Sequence, residues 1–171
     1  MRQLFPASRS IAVLVNLHNP NAHIDMPDLR DAARTLGLPI SFVTASSETE
    51  IEAVFATLRE QRISVLLVNT DPFFLARRDQ LVSLAASYSV PTVYPWREAA
   101  AAGGLISFGA NLADGYRQVG LYAGRILKGE KPADLPVVQP TKFELVINLK
   151  TATALGLTIP PLALARAELI E

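Results

Sequence analysis

The stretch from Ser10 to Val68 decides the fold. It opens with Ser10–Asn16 (SIAVLVN), a short apolar run rich in β-branched side chains. Leu29, Ala32, Ala33 and Leu36 then recur at helical spacing, with Gly37 placed to end that helix. Pro39–Thr44 (PISFVT) is a second apolar run. Ile51, Val54, Phe55 and Leu58 form a second helical face behind the capping box Ser47-Glu48-Thr49-Glu50. Ile63–Val68 (ISVLLV) closes the stretch and is the most apolar run. Short runs that are apolar throughout suit strands buried on both faces. Alternating with helices, they imply βαβ units: a parallel sheet sandwiched by helices, joined by right-handed crossovers.

The same unit continues. Asn69-Thr70-Asp71-Pro72 is a turn, and Leu75 to Tyr88 reads as a helix with Leu81, Leu84 and Ala85 inward. A short strand follows at Pro91–Tyr94, then a small alanine-rich helix that Gly103-Gly104 breaks. Leu105–Phe108 is a further strand. Asn111 caps a long helix to Lys128, with Leu112, Tyr116, Val119, Ala123 and Leu127 as its apolar face. Glycines at 115, 120 and 124 within it suggest close helix packing or a polymorphic interface more than a cofactor loop. Three prolines between Lys131 and Pro140 read as an extended linker. Phe143–Asn148 is the last strand, Lys150–Gly156 a short helix, and Pro160 or Pro161 opens a terminal one.

Composition excludes several functions. The chain has 171 residues, room for one domain or one and a half. Sixteen Lys and Arg balance sixteen Asp and Glu, so no electrostatic footprint for nucleic acid or an anionic membrane is expected. Cysteine is absent, which removes disulfides and thiolate chemistry. No apolar run reaches the roughly 20 residues a membrane span needs. Met1-Arg2-Gln3 leads into Leu4-Phe5-Pro6 without an apolar leader segment, so the expectation is a cytoplasmic protein or a chain that begins downstream of its natural start. His18 and His23, five apart, fall on different helix faces with no acidic partner at ligand spacing, so no metal site is expected. Nucleophile-elbow, phosphate-loop and dinucleotide-loop motifs are missing, and Ser46-Ser47 reads as a cap and not a nucleophile. Neither catalysis nor a cofactor is expected.

In an open parallel sheet, ligands bind beyond the carboxyl ends of the strands. That rule selects the loops at 16–21, 44–47, 69–74 and 94–98. Asp71 either accepts hydrogen bonds from a ligand ammonium or caps the helix that follows. Trp96, the single tryptophan, either stacks on a ligand or covers the sheet edge. Arg97 either forks onto a carboxylate or is a solvated charge. Asn16, His18, Asn19 and Asn21 either present polar groups to a carboxylate or serve the turn.

Several segments resemble the ABC-transporter substrate-binding proteins of the tryptophan/tyrosine-binding type. They are Ile11–Asn16 with Asn19-Pro20-Asn21-Ala22, Tyr94–Glu98, Gly103–Gly109, Ile126–Pro136, Gln139–Ala152 and Leu155–Pro161. The resemblance runs along essentially the whole chain. It implies one Rossmann-like lobe of a type I periplasmic binding protein plus a C-terminal return segment. Residues 10–95 would form the second lobe, and 96–135 a crossover normally packed on a first lobe that precedes the chain. Residues 136–171 would supply the return strand and terminal helices. The implied function is capture of a small organic ligand, such as an aromatic or branched amino acid, in the periplasm for an ABC permease. Asn16 and Asn21 would then meet the ligand's carboxylate end, Asp71 its ammonium, and Tyr94 and Trp96 would be aromatic walls. Asn111 departs from the family pattern, which often has an acidic residue there. Without a first lobe, the 111–128 helix would expose its apolar face and drive homodimerisation. The rival expectation is a self-associating remnant that binds no ligand. A flavodoxin-like enzyme is the third, and the missing motifs argue against it.

Overall fold

A computed structural model describes residues 10–171; residues 1–6, on which the leader expectation falls, lie outside them. The strands are β1 (Ile11–Val15), β2 (Ile40–Thr44), β3 (Val65–Val68), β4 (Thr92–Tyr94), β5 (Ile106–Ala110), β6 (Phe143–Asn148) and β7 (Glu168–Ile170). The helices are α1 (Ala22–Leu36), α2 (Glu48–Glu60), α3 (Pro72–Ala76), α4 (Arg78–Ser87), α5 (Arg97–Ala101), α6 (Leu112–Leu127), α7 (Leu149–Ala154) and α8 (Pro161–Leu164). All seven strands form one sheet in the order β2-β1-β3-β4-β5-β6-β7. Neighbours from β2 to β5 pair in parallel.

Every residue of β1 is buried, because helices cover both sides of this strand. Alternate side chains sort to opposite faces. Ala12 and Leu14 join Leu66, Val68 and Tyr94 beneath α2 and α4, where Ile51, Phe55, Leu58 and Leu81 are fully enclosed. Each such side chain contributes on the order of 2 kcal/mol of apolar burial. On the other face Val13 and Val15 meet Ala22, Met26 and Leu29 of α1. Further along that face, Val65, Val93, Ile106 and Ile147 pack under Ala152 and Ala163 of α7 and α8. Gly37 closes α1 in the left-handed conformation, φ 60°, as expected of a glycine just past a helix.

The structure departs from the sequence expectation in four places. The 75–88 helix begins earlier, at Pro72, and breaks at Arg77 into α3 and α4. β7 was not anticipated; three residues carry no usable periodicity. β6 runs antiparallel to β5, so the sheet is mostly and not wholly parallel. The reason lies in the register: Ala110 at the end of β5 pairs with Phe143 at the start of β6. Residues 111–142 therefore leave and re-enter at the same edge. Finally, the 105–108 strand does not stand apart with the crossover segment. It pairs with β4 and β6 in this sheet, and α5 packs on it, so only the 111–142 excursion projects away. α6, which dominates that excursion, has no buried residue.

Candidate functional site

The carboxyl ends of β1, β3 and β4 are adjacent, and the polar loops gather there. Asn19 is their hub. Its amide Nδ2 donates to Asp71 Oδ2 at 2.7 Å, and its Oδ1 accepts the Asn21 backbone N–H at 3.0 Å. Asp71 Oδ1 accepts the N–H groups of Phe73 at 2.7 Å and Phe74 at 3.3 Å, which caps α3. With both oxygens engaged and only 2% of its surface exposed, Asp71 ties the β1 and β3 loops together. The ammonium-binding expectation for Asp71 finds no open carboxylate here; an aspartate ahead of Pro72 at N1 is built to cap.

Asn16 is half-buried, and its Oδ1 accepts the His18 N–H at 3.0 Å. Asn21 is exposed at the head of α1, and its side chain makes no capping bond. Asn69 Nδ2 donates to Asp25 Oδ2 at 2.8 Å, which pins α1 against the end of β3. Asn21, Asp25, Asp28, Asn69 and Thr70 line an open cavity of about 520 Å³ between these elements.

The aromatic expectation divides. Trp96 is half-exposed just beyond β4, beside Phe74, Arg78 and Pro95. Tyr94 lines the same small cavity as Trp96 from beneath, 2% exposed, with its ring in the core under α4 and α5. Burial pushes its phenol far above the ordinary tyrosine range. In β4 the alternation of side chains turns Tyr94 inward, a consequence the sequence did not disclose because the strand is only three residues long. Arg97 is occupied as well, pairing with Glu168 at 2.5 Å and lying 3.9 Å from Glu144, so it fastens α5 to β6 and β7.

Sequence reading placed Asn19 in the right loop but missed it as the hub, and missed the Asn69–Asp25 tie. Asn19 lies 52 positions from Asp71, and Asn69 lies 44 from Asp25, so no local pattern joins them. Their position just past strand ends was the available signal. Among the described residues no helix is long and apolar enough to cross a membrane. No group of three or more His, Cys, Asp or Glu there is placed to hold a metal ion. The rim thus presents side-chain amides, the N-terminus of α1 and an indole.

Solved structures share this architecture. A conserved domain protein from Vibrio cholerae superposes with a TM-score of 0.90 at 25% identity, over 99% of this chain and 57% of its own. The ABC domain in complex with L-Trp from Streptococcus pneumoniae gives 0.89 at 26% identity, over 99% and 57%. A ligand-free, open substrate binding protein with adhesive properties from Clostridium difficile gives 0.71 at 21%, over 98% and 56%, and shares the fold. The chain thus spans a little over half the length of these relatives. No curated protein matches it. A family model for ABC transporter substrate binding proteins matches residues 1–170, and the chain belongs to that family.

Proposed function

We propose that this chain forms the ligand-recognising lobe of a solute-binding component that captures an aromatic amino acid outside the cytoplasmic membrane. The bound ligand passes to an ABC permease that imports it. The observation that carries this reading is the rim at the carboxyl ends of β1, β3 and β4. There Asn16 and the exposed Asn21 flank the N-terminus of α1, with Trp96 two strands away. Amides and helix N–H groups suit a carboxylate, and an indole suits an aromatic ring. The complex of the Streptococcus pneumoniae relative with L-Trp supports the ligand class. Asp71 acts through Asn19, whose position it sets, and not as a direct contact. Tyr94 supports Trp96 from within the core.

Trp96 is the only tryptophan, so its emission reports on this rim alone. Titration with a panel of amino acids and aromatic acids is expected to give a saturable change with one ligand at fixed stoichiometry. Asn21→Ala should weaken that binding roughly tenfold, the loss of about 1.4 kcal/mol. A flat response both in emission and by calorimetry, across the whole panel, overturns the reading.

A further inference from the structure

Tyr94 is buried, yet its phenolic oxygen has no hydrogen-bond partner among the described residues. Buried hydroxyls are costly when left that way, and most in folded proteins are satisfied by protein or by ordered water. Thr92 and Tyr94, two residues apart, fall on the same face of β4. Burial pushes the phenol up, and the Thr92 hydroxyl is the one group that works against it. The two hydroxyls are therefore neighbours, without a hydrogen bond between them. Both residues line a cavity of about 10 Å³ at the amino-terminal ends of β4 and β5, away from the rim. Thr151 of α7 and the Gly103-Gly104 turn complete its polar side, and α4 supplies apolar wall through Val82 and Ala85. Gly104 makes room for the tyrosine. A Cβ there would lie 2.7 Å from Tyr94 Cε2 and 2.7 Å from the Ala99 carbonyl oxygen, so the ring edge rests against bare backbone.

The donors and acceptors around this cavity specify what fits it. Thr92 Oγ1 donates its hydrogen to the Val90 carbonyl at 2.9 Å. Thr151 Oγ1 donates its own to the Gly103 carbonyl at 2.8 Å. A hydroxyl has one hydrogen to give, so both threonine oxygens turn only lone pairs to the cavity. The Tyr94 hydroxyl still has its hydrogen to give. An occupant must therefore accept one hydrogen bond and donate two. A halide cannot donate, and an ammonium or metal cation cannot accept. Water does both, and one water needs roughly 10–15 Å³. We propose that this cavity is a binding site for a single water molecule, which accepts from Tyr94 Oη and donates to Thr92 Oγ1 and Thr151 Oγ1. The water links β4 to α7 beneath the sheet end, adding to the bond that Thr151 makes with Gly103. The proposal is independent of whether the rim binds a ligand.

Tyr94→Phe is the decisive variant, because it keeps the ring and removes only the hydroxyl. If that hydroxyl were simply unpaired, its burial penalty would vanish with it and the variant would be more stable. If water satisfies it, the variant should instead lose roughly fivefold in the folding equilibrium constant, read from the denaturation midpoint. Thr92→Val removes a second partner of the same water. The double variant should then lose less than the product of the two single losses, since both act through one molecule. A crystal structure of the chain should show an ordered water within hydrogen-bond distance of Tyr94 Oη and of a threonine hydroxyl, and Tyr94→Phe should lose it. An unchanged or raised midpoint in Tyr94→Phe overturns the proposal. So do losses that simply multiply in the double variant, or a dry cavity in the crystal.

Discussion

Asp71 shows how one side chain can carry two readings in sequence, a helix cap or a ligand contact, of which packing makes the cap visible. A buried carboxylate needs hydrogen bonds, and this one has three, from Phe73, Phe74 and Asn19. Asp71→Ala removes the α3 cap and leaves the Asn19 amide without its acceptor. It should destabilise the fold by about 1–2 kcal/mol in denaturant unfolding. Asp71→Asn keeps an oxygen for the two N–H groups and should recover part of that loss. Gly109 is the opposite case, a residue defined by what it lacks. A Cβ there would lie 1.9 Å from the Pro95 carbonyl oxygen, so β5 passes against the β4–α5 turn only because no side chain intervenes. Gly109→Ala should destabilise by about 2–3 kcal/mol, read from the denaturation midpoint. The capping half of the Asp71 alternative was legible in Asp71-Pro72; the demand on Gly109 was not, since Pro95 is brought there by the strand pairing.

At the scale of elements, α2 follows its sequence signals closely. Ser47 caps it by accepting the Glu50 N–H at 3.3 Å, and Ser47→Ala should cost about 1 kcal/mol. Glu50 reaches back as the capping box requires, though one residue further, to the Ser46 N–H at 2.7 Å and hydroxyl at 2.9 Å. Those bonds, the backbone one foremost, hold its carboxyl below the ordinary value of 4.5. A lowered folded-state pKa adds stability above the ordinary value and loses it as pH falls through the lowered one. Thermal unfolding of wild type and Glu50→Gln should therefore differ near about pH 7 and converge as the pH falls through the lowered value. The ends of α1 and α2, and the inward faces of α2 and α4, could be found locally because caps and apolar periodicity are local. The break at Arg77 could not, because it depends on where α4 must sit against α2.

For the molecule as a whole, the sequence by itself determined the layered α/β architecture. Uniformly apolar runs cannot face water, and helices with one apolar stripe must cover them. It also determined that the polar loops fall at the carboxyl edge, which follows from parallel strand direction. Tertiary structure alone decided three things. It set β6 antiparallel, because the 111–142 excursion starts and ends at one edge. It turned Tyr94 into the core and left Trp96 half-exposed, because strand alternation acts only once the sheet has a defined register. And among the described residues it buries none of α6: an amphipathic helix announces in sequence that it needs a partner, but which surface meets it is a matter of contacts that distant residues must supply.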